Sequence, residues 1–438
     1  MTFRPPVVVK FGGATLTRPD QVVSWIQGRR ARDKSLVVVL SAREGVTDLL
    51  RSIVESPGQS REHARSLQRI IELHPEMPLA GQAQFDRLRR LVTPLGHRTS
   101  VDPPLADRIV AQGERLAVQW MLPRLISAGI PAIGIEADHL GIITDNEYGA
   151  STILLDRSAG PVRRGILPRL RRGQVPVITG FIGRSLEGRV TTLGRGGSDY
   201  TATALGAILQ APRVELVKRG VSVMSGDPRR IPAARPIAQL SYDEAEELAQ
   251  FGAKVLHPLT VEPARTAGIE VHVVPIDDPR ASTVIGPRPG PEGMRALTLL
   301  SPVGLVRIRV AGGRQRPGVV AEISRRLNEA GLNIVTLFTS STLLSVILEA
   351  SDASEGRRVL QPLAERDRMH LDGARRVGLL TAIGEGVLRD VARLPTRILE
   401  QGEGLSATPR SVTLAVPAAT APSVLRTMHR ELVERRTR

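Results

Sequence analysis

Twelve residues near the middle of the chain, TTLGRGGSDYTA from Thr191 to Ala202, constrain its fold more than any other stretch. Val190–Leu193 is β-prone, and the run from Thr201 (TATALGAILQ) is rich in Ala and Leu, with Ser198 or Asp199 placed to cap a helix. A strand that turns through glycines into a helix makes an anion site, because backbone N–H groups can close on an oxyanion and the helix N-terminus adds partial positive charge. Arg195 offers a planar fork to a carboxylate, and Asp199 an acceptor to an ammonium or a lysine. Both signs at one loop suit a zwitterionic amino acid beside a phosphate. Taken alone, the loop is equally a tight turn whose glycines serve only sterics.

A chain of 438 residues exceeds one hydrophobic core and suggests about three domains. No apolar run is long enough to span a bilayer, and MTFRPPVVVKFGG runs straight into a strand instead of a secretory apolar region, so a cytoplasmic location is the expectation. The absence of cysteine removes disulfides, thiolate chemistry and zinc ribbons. The net charge of +16 is scattered along helices with few aromatics between, which fits anionic substrates such as a nucleotide and a dicarboxylate better than nucleic acid. Of the 60 basic residues only Lys10, Lys34, Lys218 and Lys254 are lysine, so these are enriched in places where a compact ammonium is needed, with chance survival the expectation for at least one.

Further strand-to-loop junctions accompany the central one. Pro6–Phe11 (PVVVKF) is a buried-type strand followed by Gly12, Gly13 and a helix from about Pro19 to Arg32, with Lys10 able to reach an anion held there. Ser35–Leu40 runs into SAREGVTDLL, where the hydroxyls of Ser41 and Thr47 are the informative groups, although Thr47 is also placed to cap the next helix. Helical stretches follow from about Ser60 to Leu95, broken near Pro75 and Pro78, and from Leu105 to Ala128, which carries Glu114. After a strand at Ile130–Ile135, Leu140–Thr152 reads as a loop and Pro161–Arg172 as a basic helix. The strand from Val175 to Gly183 contains Phe181 and leads into the central loop. Ala238–Phe251 reads as a helix with an acidic face, and FGAKVLHP brings Lys254 and a His257 expected to be structural.

TTLGRGGSDYTA, KFGG, SAREGVTDLL, the Gly113–Leu116 stretch, GFIG at Gly180–Gly183 and FGAKVLHP, in this order, resemble the motifs of aspartate kinases within the amino-acid kinase superfamily. The resemblance implies an α/β fold, an αβα sandwich with a mostly parallel central sheet, and transfer of phosphate from ATP to the β-carboxylate of L-aspartate, opening the route to lysine, threonine and methionine. It implies Lys10 and Asp199 as catalytic. Ser41, Thr47, Glu114, Phe181, Arg195 and Asp199 would hold aspartate, and Lys10, Gly12, Gly13, Ser198, Lys218, Arg219, Arg229 and Lys254 would lie along the nucleotide. Mg²⁺ would arrive with ATP, and no side-chain metal ligand is expected.

One stretch departs from that pattern. Where these kinases have Thr-Asp-Val-Asp-Gly before Asp-Pro-Arg, this chain has Lys218, Arg219, Gly220, Val221 and Ser222 before Asp227, Pro228 and Arg229, so two cations stand at the Thr and Asp positions. Three readings compete: altered nucleotide contacts with activity kept, a weakened or lost ATP site, or a realignment in which Glu215 or Asp227 takes over. The rivals to aspartate kinase are therefore a catalytically impaired amino-acid sensor and a kinase for another amino-acid carboxylate.

Asp277–Gly293 is rich in Pro and Gly and reads as a boundary. Beyond it the order βαββα, with Arg316, Pro317 and Gly318 before the first helix, resembles an ACT domain, and a second copy without Pro-Gly runs from Val377 to Val433, its first helix spanning Val387–Gln401. The expected division is 1–280 for the kinase domain, 281–298 for a linker, 299–372 for one ferredoxin-like ACT domain and 373–438 for the other, with 295–300 assignable to the second by analogy. Such domains imply an amino-acid effector, lysine or threonine, near Gly331, Asn333, Ser340, Ser341 and Ser345, and a homodimer or higher homo-oligomer formed through them.

Overall fold

The computed structural model describes residues 4–33, 35–220, 222–252, 257–288, 290–310 and 317–434. Lys254, Val221 and Arg316 of the motifs above lie outside them. The chain divides into two compact units, one comprising 1–223, 236–246 and 255–288, the other 224–235, 247–254 and 289–438.

The first unit is built from β1 (Val7–Phe11), α1 (Pro19–Asp33), β2 (Leu36–Leu40), α2 (Val46–Glu55), α3 (Ser60–Glu72), α4 (Leu79–Val92), α5 (Pro103–Val110), α6 (Gln112–Ser127), β3 (Ala132–Ile135), α7 (Ala137–Leu140) and β4 (Ile143–Thr144). It continues through α8 (Leu155–Arg171), β5 (Val175–Thr179), β6 (Ile182–Ser185), β7 (Val190–Thr192), α9 (Gly197–Leu209), β8 (Arg213–Lys218), β9 (Gln239–Ser241), α10 (Tyr242–Gln250), α11 (Pro258–Ala267), β10 (Glu270–Pro275) and β11 (Thr283–Gly286). Eight strands form one sheet in the order β3-β5-β2-β1-β8-β10-β11-β9, all pairs parallel except β10 with β11. VVVKF, LVVVL and VPVIT are buried along their whole length, as strands covered on both faces must be. Alternation assigns the faces: Val7, Val9, Phe11 and Val217 pack with α1 and α6 residues such as Ile26 and Trp120, which leaves Lys10 and Lys218 on the other face, towards α9.

Several expectations are corrected here. The central helix begins at Gly197, and its cap is Gly196 at φ 74°, a left-handed conformation open to glycine, so Ser198 and Asp199 lie inside the first turn and cap nothing. Gly45, at φ 83°, likewise precedes α2 and places Thr47 within that helix. The expected helix from Leu105 is two, α5 and α6, separated at Ala111. Gln239–Ser241 opens the acidic stretch as a strand because it pairs with β11, a strand inside the Pro/Gly-rich segment. Within 140–152, β4 pairs with β6 and Thr144 bridges to Ile153.

The second unit contains β12 (Ala296–Val310), α12 (Val319–Glu329), β13 (Ile334–Thr339), β14 (Leu343–Glu349), α13 (Ala353–Arg366), β15 (Met369–Leu371), β16 (Arg375–Ile383), α14 (Val387–Val391), α15 (Thr396–Leu399), β17 (Glu403–Ala407), β18 (Ser411–Pro417) and α16 (Ala421–His429). Its antiparallel sheet runs β13-β14-β12-β16-β18-β17, with β15 also on β12. β12 serves two ferredoxin-like halves: Val303–Arg309 pairs with β14, and Ala296–Leu300 pairs with Leu379–Ile383 of β16. Pro395 precedes α15, so the helix expected over Val387–Gln401 is two short ones. Gly386, at φ 75°, begins the first of them as Gly318, at φ 83°, begins α12, so the second half does without proline. Val303, Leu305 and Ile347 share one apolar cluster with Val377, Leu379 and Ala415. Arg307 and Arg375 both reach Glu403 at its edge, at 2.5 and 2.8 Å.

Candidate active site

Strand order explains why motifs far apart in sequence meet. β5, β2, β1 and β8 are consecutive neighbours, so their carboxyl ends, carrying Gly180 and Phe181, Ser41, Gly12 and Gly13, and Lys218, lie side by side along the edge where ligands of parallel sheets collect. Backbone bonds lace these ends together: Ser41 N–H donates to Phe11 O (3.2 Å), Gly180 N–H to Leu40 O (2.8 Å) and Gly12 N–H to Val217 O (3.4 Å). Gly13 is held so close to the neighbouring loop that a Cβ there would stand 2.5 Å from the Ala42 carbonyl.

At this edge Asp199, in the first turn of α9, is gripped by two lysines. Lys10 Nζ lies 2.6 Å from its Oδ1 and Lys218 Nζ 3.0 Å from its Oδ2. Burial alone would raise the Asp199 carboxyl, but Lys10 and Lys218 outweigh it and hold the group at about 2. Burial lowers Lys10 from its ordinary value against the pull of Asp199, and the like charge of Lys218 lowers it further. The Lys10 ammonium lies over Gly12, 3.7 Å from where a Cβ would be.

Glu114, at the start of α6, is buried, and its Oε1 accepts the Ala42 N–H at 3.0 Å. Its Oε2 has no hydrogen-bond partner among the described residues. Burial pushes this carboxyl up to about 8, with Ala42 N–H and Lys10 pulling the other way. Burying such an acid with one oxygen unengaged is costly, and it lies close enough to Lys10 for the two charges to interact.

The remaining candidates divide. Phe181 is buried at φ 68°, a strained conformation for an aromatic residue, and its N–H donates to Thr201 Oγ1 at 3.0 Å. Ser198 is buried, Ser41 and Thr47 are partly buried, and Arg195 is exposed with no ion pair among the described residues. Arg219 is half exposed, 3.9 Å from Glu44. Arg229 lies in the second unit with its guanidinium on Asp227, so that carboxylate is already engaged. Glu215 is ruled out as a replacement acceptor: strand alternation turns it to the α1 face, where Arg29 and Arg213 bind it and it is wholly buried. His257 is structural, capping α11 through Leu259 N–H at 3.4 Å.

Of the effector candidates in the second unit, Gly331 at φ 70° ends α12, Ser340 closes the β13–β14 turn onto Leu343, and Asn333 and Ser341 are exposed. Ser345 is buried on β14 opposite Arg307.

Sequence reasoning passed over Asp107. This buried α5 carboxylate accepts from Thr192 N–H (2.7 Å), Thr192 Oγ1–H (2.8 Å) and Gly149 N–H (3.0 Å), and so anchors the strand that feeds the central loop. The available signal is an aspartate beside an arginine in the otherwise apolar run LADRIV. Glu136, Asp138 and His139 also gather, but the buried Arg115 guanidinium already engages both carboxylates, at 2.9 and 2.7 Å.

Comparison with known proteins gives this geometry a lineage. Residues 5–275 match the Amino acid kinase family, to which the chain therefore belongs. Within it, the chain's relatives are aspartokinases: it is 31% identical to the lysine-sensitive aspartokinase 3 of Escherichia coli K12, covering 80% of this chain and 79% of that one. It is 32% identical to an aspartokinase of Thermus thermophilus, covering 74% and 79%. The structure of E. coli aspartokinase III in complex with aspartate and ADP superposes with a TM-score of 0.80 at 26% identity, covering 98% of this chain and 99% of that one. Among the described residues no helix is long and apolar enough to cross a membrane.

Proposed function

We propose that this protein is an aspartate kinase, transferring the γ-phosphoryl group of ATP to the β-carboxylate of L-aspartate. The observation that carries the reading is the buried Lys10–Asp199 pair at the sheet edge beside Glu114, whose second oxygen is open. The resemblance to aspartokinase III bound to aspartate and ADP extends over nearly the whole chain and supports it.

A carboxylate oxygen of aspartate attacks the γ-phosphorus, the bond to the bridging oxygen breaks, and ADP leaves. The attacking group is ionised near neutral pH, so no general base is needed and the protein's task is alignment and charge neutralisation. Lys10, the N–H of Gly13 and the first free N–H groups of the α9 N-terminus serve the phosphates, and the family resemblance adds Lys254, which lies outside the described residues. Glu114 receives the substrate ammonium, Arg195 its α-carboxylate, and Ser41, Thr47 and Phe181 line its side chain. Asp199 is committed to two lysines, and Mg²⁺ arriving with the nucleotide would supply further charge neutralisation. Lysine or threonine acts as effector at the first ferredoxin-like half, and those halves pair in a homodimer.

The test is ADP release, coupled to a reporter, with aspartate, ATP and Mg²⁺, repeated with glutamate and N-acetylglutamate and with lysine or threonine added. Turnover with aspartate alone among the acceptors is expected. Preference for another acceptor, or no binding of ATP–Mg²⁺ by calorimetry, overturns the reading.

A further inference from the structure

We propose that Lys218 is a positioning residue for phosphoryl transfer: by holding the second oxygen of Asp199 it locks the Lys10–Asp199 pair into one orientation. This rests on the kinase reading above.

Each ammonium occupies a different carboxylate oxygen, at 2.6 and 3.0 Å, so Asp199 cannot rotate about χ2 without breaking one ion pair. Lys218 is placed to do this by the backbone. It is the last residue of β8, its carbonyl accepts Ile276 N–H at 2.8 Å, and strand alternation puts its side chain on the same face as Lys10. Asp199 is fixed from its own side by lying in the first turn of α9, where a negative charge is favoured by the helix dipole. Three charges whose sum is positive, with Lys10 and Asp199 buried and Lys218 partly so, leave N–H donors on Lys10 for an anionic ligand while its stem is held. Among the described residues, the charged groups acting on Lys10 are Asp199 and Lys218, with Glu114 behind them. The cations at 218 and 219 therefore differ in kind: Lys218 is drawn into the cluster, whereas Arg219 faces outward to Glu44.

The sequence supplies an unusual probe, since the whole chain has four lysines. Labelled at the ε-carbon, it gives four NMR signals, assigned by single substitutions and titrated with pH in the full-length protein. In Lys218→Met, which keeps the apolar stem, the Lys10 signal is expected to titrate at higher pH than in the wild type, because a like charge is gone and Asp199 is left to Lys10 alone. In turnover with aspartate, the same variant loses kcat by about 10- to 100-fold, the scale of a small misplacement of a reacting group, with KM for ATP nearly unchanged. Lys218→Arg restores part of kcat. An unmoved Lys10 titration, or a raised KM for ATP with kcat intact, overturns the proposal, the latter by making Lys218 a nucleotide contact. Wild-type protein without aspartate turnover would sink the kinase reading, and the NMR titration would still decide the Lys218 question.

Discussion

Replacing Glu114 with Gln separates the cost of burying this acid from its use. The carboxyl accepts the Ala42 N–H at 3.0 Å, and burial moves it from an ordinary 4.5 to about 8. Between those values the unfolded chain is ionised while the folded chain keeps the proton, so the folded state binds more protons and stability falls as pH rises through this window. At about 1.4 kcal/mol per pH unit, a gap of roughly 3.5 units gives about 5 kcal/mol as an upper bound, which relaxation around the charge reduces. Gln has no proton to lose and can still accept from Ala42 N–H. Glu114→Gln is therefore expected to match the wild type in thermal unfolding at pH 5 and to exceed it by several degrees at pH 9, at roughly 2 °C per kcal/mol for a unit of this size. Calorimetric titration at pH 8 should show aspartate binding lost in the same variant. In the wild type, aspartate affinity should rise from pH 6 to 8 as the carboxyl ionises to meet the ammonium. A stability difference that is flat with pH, or aspartate affinity retained in Glu114→Gln, refutes the reasoning.

Lys10→Ala should abolish turnover while leaving the fold intact; an unchanged rate in the coupled ADP assay defeats the assignment. Arg195→Ala, at an exposed position, should raise KM for aspartate at least tenfold with no change in Tm, the loss of one charge-assisted bidentate contact at about 1.5–3 kcal/mol; an unaltered KM means that Arg195 does not hold the α-carboxylate. Gly196→Ala forces an L-residue into φ 74° and places a Cβ 2.5 Å from that of His257, so it should cost more than about 1–2 kcal/mol and slow turnover through the displaced α9; denaturant unfolding with kinetics on the same sample checks both.

How far the sequence reaches depends on what each residue answers to. The buried strands VVVKF, LVVVL and VPVIT were legible because burial on both faces leaves an unbroken apolar run, and a lysine within one is conspicuous. The meeting of Lys10 with Asp199 is set by sheet order, which no local pattern encodes, and only resemblance to a family pointed to it. Its position in the family motif places Lys218 along the nucleotide; that its ammonium is engaged by Asp199 depends on which way the pleat turns it. The caps at Gly45 and Gly196 were missed for a simpler reason: Thr47, Ser198 and Asp199 are chemically able to cap, and left-handed glycines a few residues earlier had already started both helices. Asp107 was hidden in an ordinary helical pattern, and its three bonds become visible only once α5 is set against β7.

The fifteen residues of β12 have a consequence for how the chain is made. Val303–Arg309 finds one partner, Leu343–Glu349, within a span that ends by β15, so that ladder can form while the rest of the chain is still being synthesised. Ala296–Leu300 must wait for Leu379–Ile383, some eighty residues later, with the other half folded in between. Until then five consecutive apolar-rich positions stand as an open edge, the kind that pairs with other chains. A fragment ending near residue 372 would keep that edge for good and should be recovered as aggregate.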